Sequence, residues 1–400
     1  MNDHEITIHP KMMKLPSFYA IPKMHKPIPK FRYIAASNRC TTTQLSSIIT
    51  KCLKLITLQH RKLCRAIFRR TGVNRMWIID NNTPVLERIS EYNSRETKCD
   101  KPKNINSYDF STLYTNIPHE NLKKQFKWIL EKAFFNNSKK SIYVGNYKAT
   151  WYKQNNALIL DQDTLLKHIF FLIDNIYITV GELTLRQTVG IPMGTNCAPY
   201  LANLYLYSLE FAFLDRTAKK SIYLARKFSN CFRYIDDLIA FNNYKLIDRY
   251  KNHIYPPELI LNKENVDKNK CSFLDIDMRI MNETVITKLY DKRDDFKFTI
   301  NSFPHLNSNI HGKRTHGILI SQLLRYSKVC SCVNDFTRTS HRLIAKLLNQ
   351  HFDRQLLKRK ASLFYDKYYH IIKRYNITKR EMIYKLFLSN FEIDSNNNGQ

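Results

Sequence analysis

Two adjacent aspartates, Asp236 and Asp237, lie between apolar residues in the segment 232–241. Burying them side by side would be costly, because each carboxylate loses hydration and repels the other. The segment holds no Lys or His to offset that cost, so a divalent cation is the natural partner. An ordinary Asp-Asp turn between two strands is the alternative interpretation, and the pair by itself does not decide between the two.

A third carboxylate, Asp109, stands near the end of an apolar run that begins at Ile105. We expect a strand over 105–110, whose carboxyl end can meet the Asp236–Asp237 pair on a neighbouring strand. A helix-cap or turn aspartate is the alternative. Three carboxylates from separate elements match the demand of two hard cations bridged by phosphate oxygens. The set therefore predicts phosphoryl-transfer chemistry.

A glycine-containing loop, residues 187–199, places Gly190 and Gly194 just before a helical pattern. These are two of only eight glycines in the chain. Glycine lets a backbone or a flat substrate approach closely. A plain strand-to-helix turn is the alternative, although such a turn would not need both glycines.

Hydrophobic periodicity indicates the elements that must position these segments. Besides the strand at 105–110, hairpins are predicted over 177–187, turning at Gly181-Glu182, and over 232–241, with Ile235-Asp236-Asp237 at the tip. Helices are predicted over 120–135, 165–176 and 199–214, and the pattern beyond residue 319 is helical. The expected fold class is α+β, with a mostly helical C-terminal region.

The chain is strongly basic, with 64 Lys and Arg against 34 Asp and Glu, which gives a net charge of +30. Residues 1–75 hold fifteen of the cations and residues 311–385 hold seventeen, whereas the acidic motifs lie between them. A cationic clamp around a carboxylate centre suits an enzyme that acts on a nucleic-acid backbone. A basic soluble protein without a polyanion partner is the alternative.

Composition excludes several other classes of protein. The 44% of hydrophobic residues can form a core, which excludes intrinsic disorder, and the scarcity of glycine argues against P-loop and Rossmann proteins. Nine scattered cysteines without a CxxC pair predict reduced thiols rather than a zinc site. No apolar run approaches eighteen residues, so we expect a soluble intracellular protein without a membrane partner.

Three segments occur in the order of the catalytic motifs A, B and C of reverse transcriptases: DFSTLYTNIPH from Asp109, QTVGIPMGTNCAP from Gln187, and YIDD with Asp236 and Asp237. They resemble most closely the Penelope-like retroelement enzymes, which are related to telomerase catalytic subunits. Residues 18–37 look like motifs 1 and 2 of the fingers. Further matches follow at the end of the palm and the start of the thumb, over 273–280, 287–296 and 321–331.

The resemblance implies a right-hand polymerase. Its parts would be fingers over 1–104, a palm with an antiparallel sheet over 105–280 and an insertion around 136–186, and a helical thumb over 281–392. A disordered tail is expected over 393–400, where the composition becomes Asn-rich. Relatives often end in a GIY-YIG endonuclease, and residues after 385 show no such motif, so we expect either a form without the endonuclease or a shortened copy.

The resemblance also implies roles for single residues. Asp109, Asp236 and Asp237 would be the catalytic carboxylates that bind two Mg²⁺ ions, with Mn²⁺ as an alternative. Tyr114 would be a steric gate that clashes with a ribose 2′-OH and so selects deoxynucleotides. The other nucleotide-binding positions would be Lys23, Arg32, Gln187, Gly190 and Gly194.

In the basic C-terminal region, cations alternate with aromatic residues, which predicts electrostatic contact with a duplex. Lys358, Arg359 and Lys360 are the candidate nucleic-acid-binding residues there.

The expected activity is RNA-directed DNA polymerisation, with an RNA template, a DNA primer and deoxynucleoside triphosphates as partners, in the nucleus or else in the cytoplasm. An RNA-dependent RNA polymerase is the alternative enzyme, and Tyr114 argues against it because such enzymes must admit the 2′-OH. A catalytically idle, nucleic-acid-binding remnant of a retroelement is the alternative from another class. The intact Asp109, Asp236 and Asp237 argue against it.

Overall fold

The computed structural model describes residues 13–24, 30–95, 101–296, 298, 300, 303–309 and 315–388. The strands within these ranges are β1 (Ser17–Pro22), β2 (Phe31–Ala36), β3 (Ile105–Ser111), β4 (Ser141–Val144), β5 (Ala149–Thr150), β6 (Leu158–Asp161), β7 (Tyr177–Val180), β8 (Leu183–Arg186), β9 (Cys231–Tyr234), β10 (Asp237–Phe241), β11 (Ile260–Lys263), β12 (Lys270–Phe273), β13 (Ile276–Met281) and β14 (Thr284–Leu289).

The α-helices are α1 (Thr43–Thr71), α2 (Thr83–Ser94), α3 (Leu113–Asn116), α4 (His119–Asn137), α5 (Gln162–Asp174), α6 (Ala198–Lys220), α7 (Ile222–Arg226), α8 (Leu246–Ile254), α9 (Gly317–Val329), α10 (Val333–Asn349), α11 (Arg354–Lys367), α12 (Tyr369–Ile372) and α13 (Lys379–Phe387). The described residues also form two 3₁₀ turns, Lys292–Asp295 and Lys373–Tyr375. None of the helices in the described part of the chain is both long and apolar enough to cross a membrane.

The chain divides into two compact units. The first consists of residues up to 81 together with 104–266, and the second of residues 82–103 together with those from 267 onward. The candidate motifs at Asp109, at Gly190 and at Asp236 all belong to the first unit.

The central sheet of the first unit has the strand order β11-β3-β10-β9, and all its pairings are antiparallel. Because side chains alternate across a sheet, each strand has one face toward the large hydrophobic cluster and one face on the other side of the sheet, where Ile105, Ile239 and Phe241 are also fully buried. The core-facing side chains belong to the large hydrophobic cluster of this unit: Tyr108, Phe110, Leu238, Ala240 and Leu261. Helices α4 and α6 contribute to the same cluster, α4 through Leu122, Phe126, Ile129 and Ala133 at helical spacing.

A second sheet of this unit, in the order β2-β1-β7-β8, is largely exposed. Strands β1 and β2 form an antiparallel hairpin that positions Lys23 and Arg32 at its outer end. A small sheet, β5-β4-β6, precedes α5.

The second unit contains the antiparallel sheet β12-β13-β14 and the helices α2 and α9 to α13. It has a hydrophobic cluster of its own, in which Leu323, Phe336, Leu357 and Met382 are buried. Helix α13 begins with a capping box in which Thr378 and Glu381 bond reciprocally.

The mixed α and β class with antiparallel sheets is confirmed, as are the helical C-terminal region and both hairpins. The predicted helix 165–176 begins earlier, at Gln162, because Asp161 caps it by accepting a hydrogen bond of 2.7 Å from the Thr164 amide. The helix predicted over 199–214 continues to Lys220. The eight cysteines that the structure describes form no disulfide bonds, whereas Cys99 and the expected tail 393–400 lie outside the described residues.

Candidate active site

Two of the three aspartates face each other across the central sheet. Asp109 on β3 and Asp237 on β10 are direct partners in the antiparallel register, so their side chains share one face of the sheet. This face lies opposite the one that carries Tyr108 and Leu238 into the core. All three carboxylates are half-buried. Like charges directly across a strand pair are unfavourable, and a cation bound on this face would offset that cost.

Asp236 lies in the two-residue turn that joins β9 to β10, since Tyr234 pairs with Asp237. Its carbonyl oxygen accepts a hydrogen bond of 3.2 Å from the Phe110 amide, which ties the turn to β3. The other turn residue, Ile235, has φ +56°. A β-branched residue in this left-handed region costs about 1–3 kcal/mol. The expectation that Asp237 stands at the tip needs a small correction, because Asp237 is the first residue of β10.

The one cation within this motif, Arg233, does not neutralise the aspartates. It is fully buried and forms a salt bridge of 2.6 Å with Glu210 of α6, which is also fully buried. Strand alternation directs Arg233 to the core face, away from Asp237. The N–H groups of Arg233 are therefore not directed at the aspartates, even though this guanidinium lies only three residues before Asp236.

All five N–H groups of Arg233 have an acceptor. Nε and Nη2 donate to Glu210, at 2.6 and 3.2 Å. Nη1 donates to Asn203 Oδ1 at 2.8 Å, and Nη2 donates to the Asn203 carbonyl oxygen at 3.1 Å. The last N–H, on Nη1, donates to the carbonyl oxygen of Ile235 at 2.9 Å. Tyr255 adds a hydroxyl that donates to Glu210 at 3.0 Å.

Sequence reasoning missed Arg233 and Glu210. The signal was present, because an arginine within an apolar strand and a glutamate within the apolar helix pattern 201–214 are each costly unless they meet. The sequence does not show which of the acidic residues would pair with this arginine.

Tyr114 lies in α3, just after β3, and is half-buried against the core cluster. Burial, together with the nearby Asp236 carboxylate and Tyr234, raises the pKa of Tyr114 to about 12. The phenol is therefore neutral at physiological pH, and the negative charge of Asp236 contributes to its raised pKa. The structure thus places Tyr114, the proposed gate residue, near Asp236.

The glycine loop is held against the α3 segment. The Ile191 amide donates to the Tyr114 carbonyl oxygen at 2.6 Å, and the Gly190 amide donates to the Ile117 carbonyl oxygen at 2.9 Å. Gly190 has φ +85°, and a Cβ at this position would overlap the Tyr114 carbonyl oxygen. Both facts require glycine here.

The other end of the loop contacts β2. The Ala35 amide donates to the Met193 carbonyl oxygen at 2.8 Å, and Gly194, with φ +117°, leaves no room for a Cβ beside the Ala35 carbonyl oxygen. Ile34 also lies against Gly194. Arg32 is exposed and two residues from Ile34, so the two side chains share one face of β2.

The remaining candidates have different surroundings. Lys23 is half-buried and its amide donates to the Lys30 carbonyl oxygen at 2.7 Å, which closes the hairpin. The side-chain amide of Gln187 donates to the Val189 carbonyl oxygen at 2.8 Å and so supports the loop.

The C-terminal candidates lie on α11 in the second unit, where Lys358 and Arg359 are exposed and Lys360 is half-buried.

The carboxylate donors fit Mg²⁺, which prefers hard oxygen ligands. Among the described residues, no three His, Cys, Asp or Glu side chains converge closely enough to form a ready metal cage. This is compatible with Mg²⁺, which commonly binds through one or two carboxylates and completes its shell with water and substrate phosphates.

Comparison with solved structures shows what this chain is similar to. Telomerase from Candida albicans, in complex with a TWJ fragment of telomeric RNA, matches with TM-score 0.60 and 14% identity over 96% of this chain and 63% of that chain. Apo telomerase from Candida tropicalis matches with TM-score 0.50 and 12% identity, over 93% and 61%. No protein-family profile and no curated protein matches the sequence.

At this identity the likeness shows the fold alone, and the chain spans less than two thirds of the length of these telomerases. The predicted similarity to telomerase catalytic subunits is confirmed at the level of the fold.

Replacement of Gly194 by alanine should destabilise the first unit, because the added Cβ overlaps the Ala35 carbonyl oxygen at a φ that alanine disfavours. We expect the free energy of unfolding to fall by about 2–4 kcal/mol, measured by urea denaturation. The matched control is Gly181→Ala, since Gly181 also has positive φ but has nothing within 4 Å of its Cβ position. That variant should lose only about 1 kcal/mol, and equal losses in both variants would contradict the tight contact.

Proposed function

We propose that this chain is an RNA-directed DNA polymerase, which extends the 3′-OH of a DNA primer on an RNA template with deoxynucleoside triphosphates. The observation that carries the proposal is the in-register pair of Asp109 and Asp237, with Asp236 in the adjoining turn. Tyr114 and the glycine loop adjoin this carboxylate face. The reverse-transcriptase type of fold supports it.

Two Mg²⁺ ions, or Mn²⁺ in their place, are the cofactors in this proposal, held by Asp109, Asp236 and Asp237. The chemistry that bound Mg²⁺ supplies is activation of the primer 3′-hydroxyl and charge neutralisation on the triphosphate and the leaving pyrophosphate. The protein contributes a fixed carboxylate pair on a rigid sheet, together with a third carboxylate whose turn is bonded to both neighbouring strands. Rigid placement of this kind is the main contribution a protein makes to phosphoryl transfer.

The nucleotide would lie between the aspartates and the glycine loop. Tyr114 would stand beside the sugar C2′ position, where its neutral, half-buried ring leaves no space for a 2′-OH. Gly190 and Gly194 would let the template base and the nucleotide approach the backbone, and Gln187 keeps that loop in shape. Arg32, with Lys23 at the end of the same hairpin, would neutralise the triphosphate.

The right-hand architecture is part of the proposal, with fingers over 1–104, a palm over 105–280 and a thumb over 281–392. The basic helix α11 of the thumb would bind the duplex backbone. A Penelope-like retroelement origin, with activity in the nucleus or the cytoplasm, fits the sequence motifs.

Asp236→Asn should abolish primer extension, because metal binding needs the charge whereas the amide has nearly the same shape. We expect the extension rate to fall at least about a hundredfold, which corresponds to the several kcal/mol that metal catalysis supplies, while unfolding and duplex binding stay close to those of the parent. Asp163→Asn, on the exposed N-terminal turn of α5, is the matched control and should extend normally. Extension by Asp236→Asn within about tenfold of the parent would refute the metal role.

Tyr114→Ala should relax sugar selection, because the ring that excludes the 2′-OH is gone. The ratio of ribonucleotide to deoxynucleotide incorporation should rise at least about tenfold, the size of a typical steric discrimination, in single-nucleotide extension assays. Tyr114→Phe keeps the ring and should keep the parental ratio. An unchanged ratio in Tyr114→Ala would place the gate elsewhere and favour the RNA-polymerase alternative.

Replacing Lys358, Arg359 and Lys360 together by alanine should weaken duplex binding alike for all sequences. If each cation neutralises one phosphate, the slope of log K against log[salt] should flatten by about 2–3, as measured by fluorescence anisotropy. A charge-matched control replaces the exposed Lys139, Lys140 and Lys148 of the first unit and should leave the slope near the parental value. A changed sequence preference at an unchanged slope would mean that α11 reads bases.

A further inference from the structure

The geometry points to Arg233 as the positioning residue of the candidate active site: it holds the Ile235–Asp236 turn in the conformation that presents the Asp236 carboxylate. The inference rests on the proposed function only in that the aspartates are the reacting centre. The sequence motif alone does not suggest this role for Arg233, because the side chain faces away from the carboxylates.

The turn between β9 and β10 is strained. Ile235 has φ +56°, a conformation that its branched side chain disfavours. Something must hold it there, because the turn is only two residues long and Asp236 moves with it. The amide of Phe110 holds the Asp236 carbonyl oxygen, and Arg233 Nη1 holds the Ile235 carbonyl oxygen at 2.9 Å. These two bonds fix the two peptide groups on either side of Asp236 Cα.

Arg233 is itself held in place by its other hydrogen bonds. Four of its five N–H groups bond Glu210 and Asn203, which lie seven residues apart on α6 and therefore on one face of that helix. A buried guanidinium that left this arrangement would lose its charge partner, at a large cost. The fifth N–H is thus aimed at the Ile235 carbonyl oxygen by α6, not by the turn.

Arg233 also links the turn to the helix that follows the glycine loop. Helix α6 begins at Ala198, immediately after that loop, so Arg233 joins the element that follows Gly194 to the turn that carries Asp236. Helix α6 thus supports both the glycine loop, beside which the nucleotide would lie, and the turn that carries Asp236.

The test compares variants that keep the fold but lose the bond to Ile235. Arg233→Lys keeps a positive charge opposite Glu210, but three donors on a flexible stem cannot serve five fixed acceptor positions. A second variant replaces the buried ion pair and the tyrosine bonded to it with apolar residues, Glu210→Leu, Arg233→Met and Tyr255→Phe together, because such replacements commonly preserve stability. Tyr255→Phe alone is the matched control, since it leaves every bond of Arg233 intact.

Hydrogen–deuterium exchange is the first readout, and it needs neither metal nor substrate. We expect amides over residues 231–241 to exchange at least about tenfold faster in both variants, while the sheet of β4 to β6 in the same unit exchanges as in the parent. The control should match the parent throughout. Unchanged exchange over 231–241, or equally faster exchange throughout the first unit, would overturn the positioning role.

Primer extension is the second readout. The variants should lose about ten- to a hundredfold in kcat, whereas KM for the primer–template stays the same. Adding Ile235→Gly to Arg233→Lys should recover part of the kcat, because glycine adopts positive φ without strain. Absence of recovery together with a raised KM would overturn the inference. If the parent itself extends no primer, the proposed function fails, and the exchange experiment still decides the role of Arg233.

Discussion

A buried guanidinium is the constraint on which the candidate site depends. Arg233 is fully buried, and a charge in that position is tolerable only because Glu210 neutralises it and every N–H finds an acceptor. The acceptors belong to one face of α6 and to the β9–β10 turn. The register of that helix and the conformation of that turn are therefore fixed together, since a slip in either would leave a buried charge unpaired.

The central sheet then separates the two charge systems. The cation and Glu210 lie on the core face, and Asp109 and Asp237 lie opposite, where no bond of Arg233 reaches them. This separation keeps the guanidinium away from the carboxylate pair, and carboxylate oxygens held on a sheet are the kind of ligand that hard divalent cations prefer. Around the pair, the glycine loop contacts Tyr114 on one side and Ala35 on the other, so the backbone of this loop and the ring of Tyr114 border the face on which a substrate would lie.

Much of this arrangement could be predicted from the sequence, because periodicity and motif order are local signals. The hairpin around Asp236, the strand ending near Asp109 and the helix after Pro199 were each readable from their patterns. The pairing of Arg233 with Glu210 was not, since it joins a strand to a helix across the core and depends on the register of both. The collisions that make Gly190 and Gly194 necessary were hidden for the same reason: they involve Tyr114 and Ala35, which are distant in sequence.

The most direct test of the central claim uses the unmodified chain, a DNA primer annealed to an RNA template, and Mg²⁺. With an oligo(dT) primer on poly(rA), supplied with dTTP or with UTP at equal concentration, one assay measures both the use of an RNA template and the preference between a deoxynucleotide and a ribonucleotide. We expect metal-dependent extension with dTTP and far weaker extension with UTP. Extension with UTP alone, or no extension by folded protein with either Mg²⁺ or Mn²⁺, would contradict the proposal that the chain is an RNA-directed DNA polymerase.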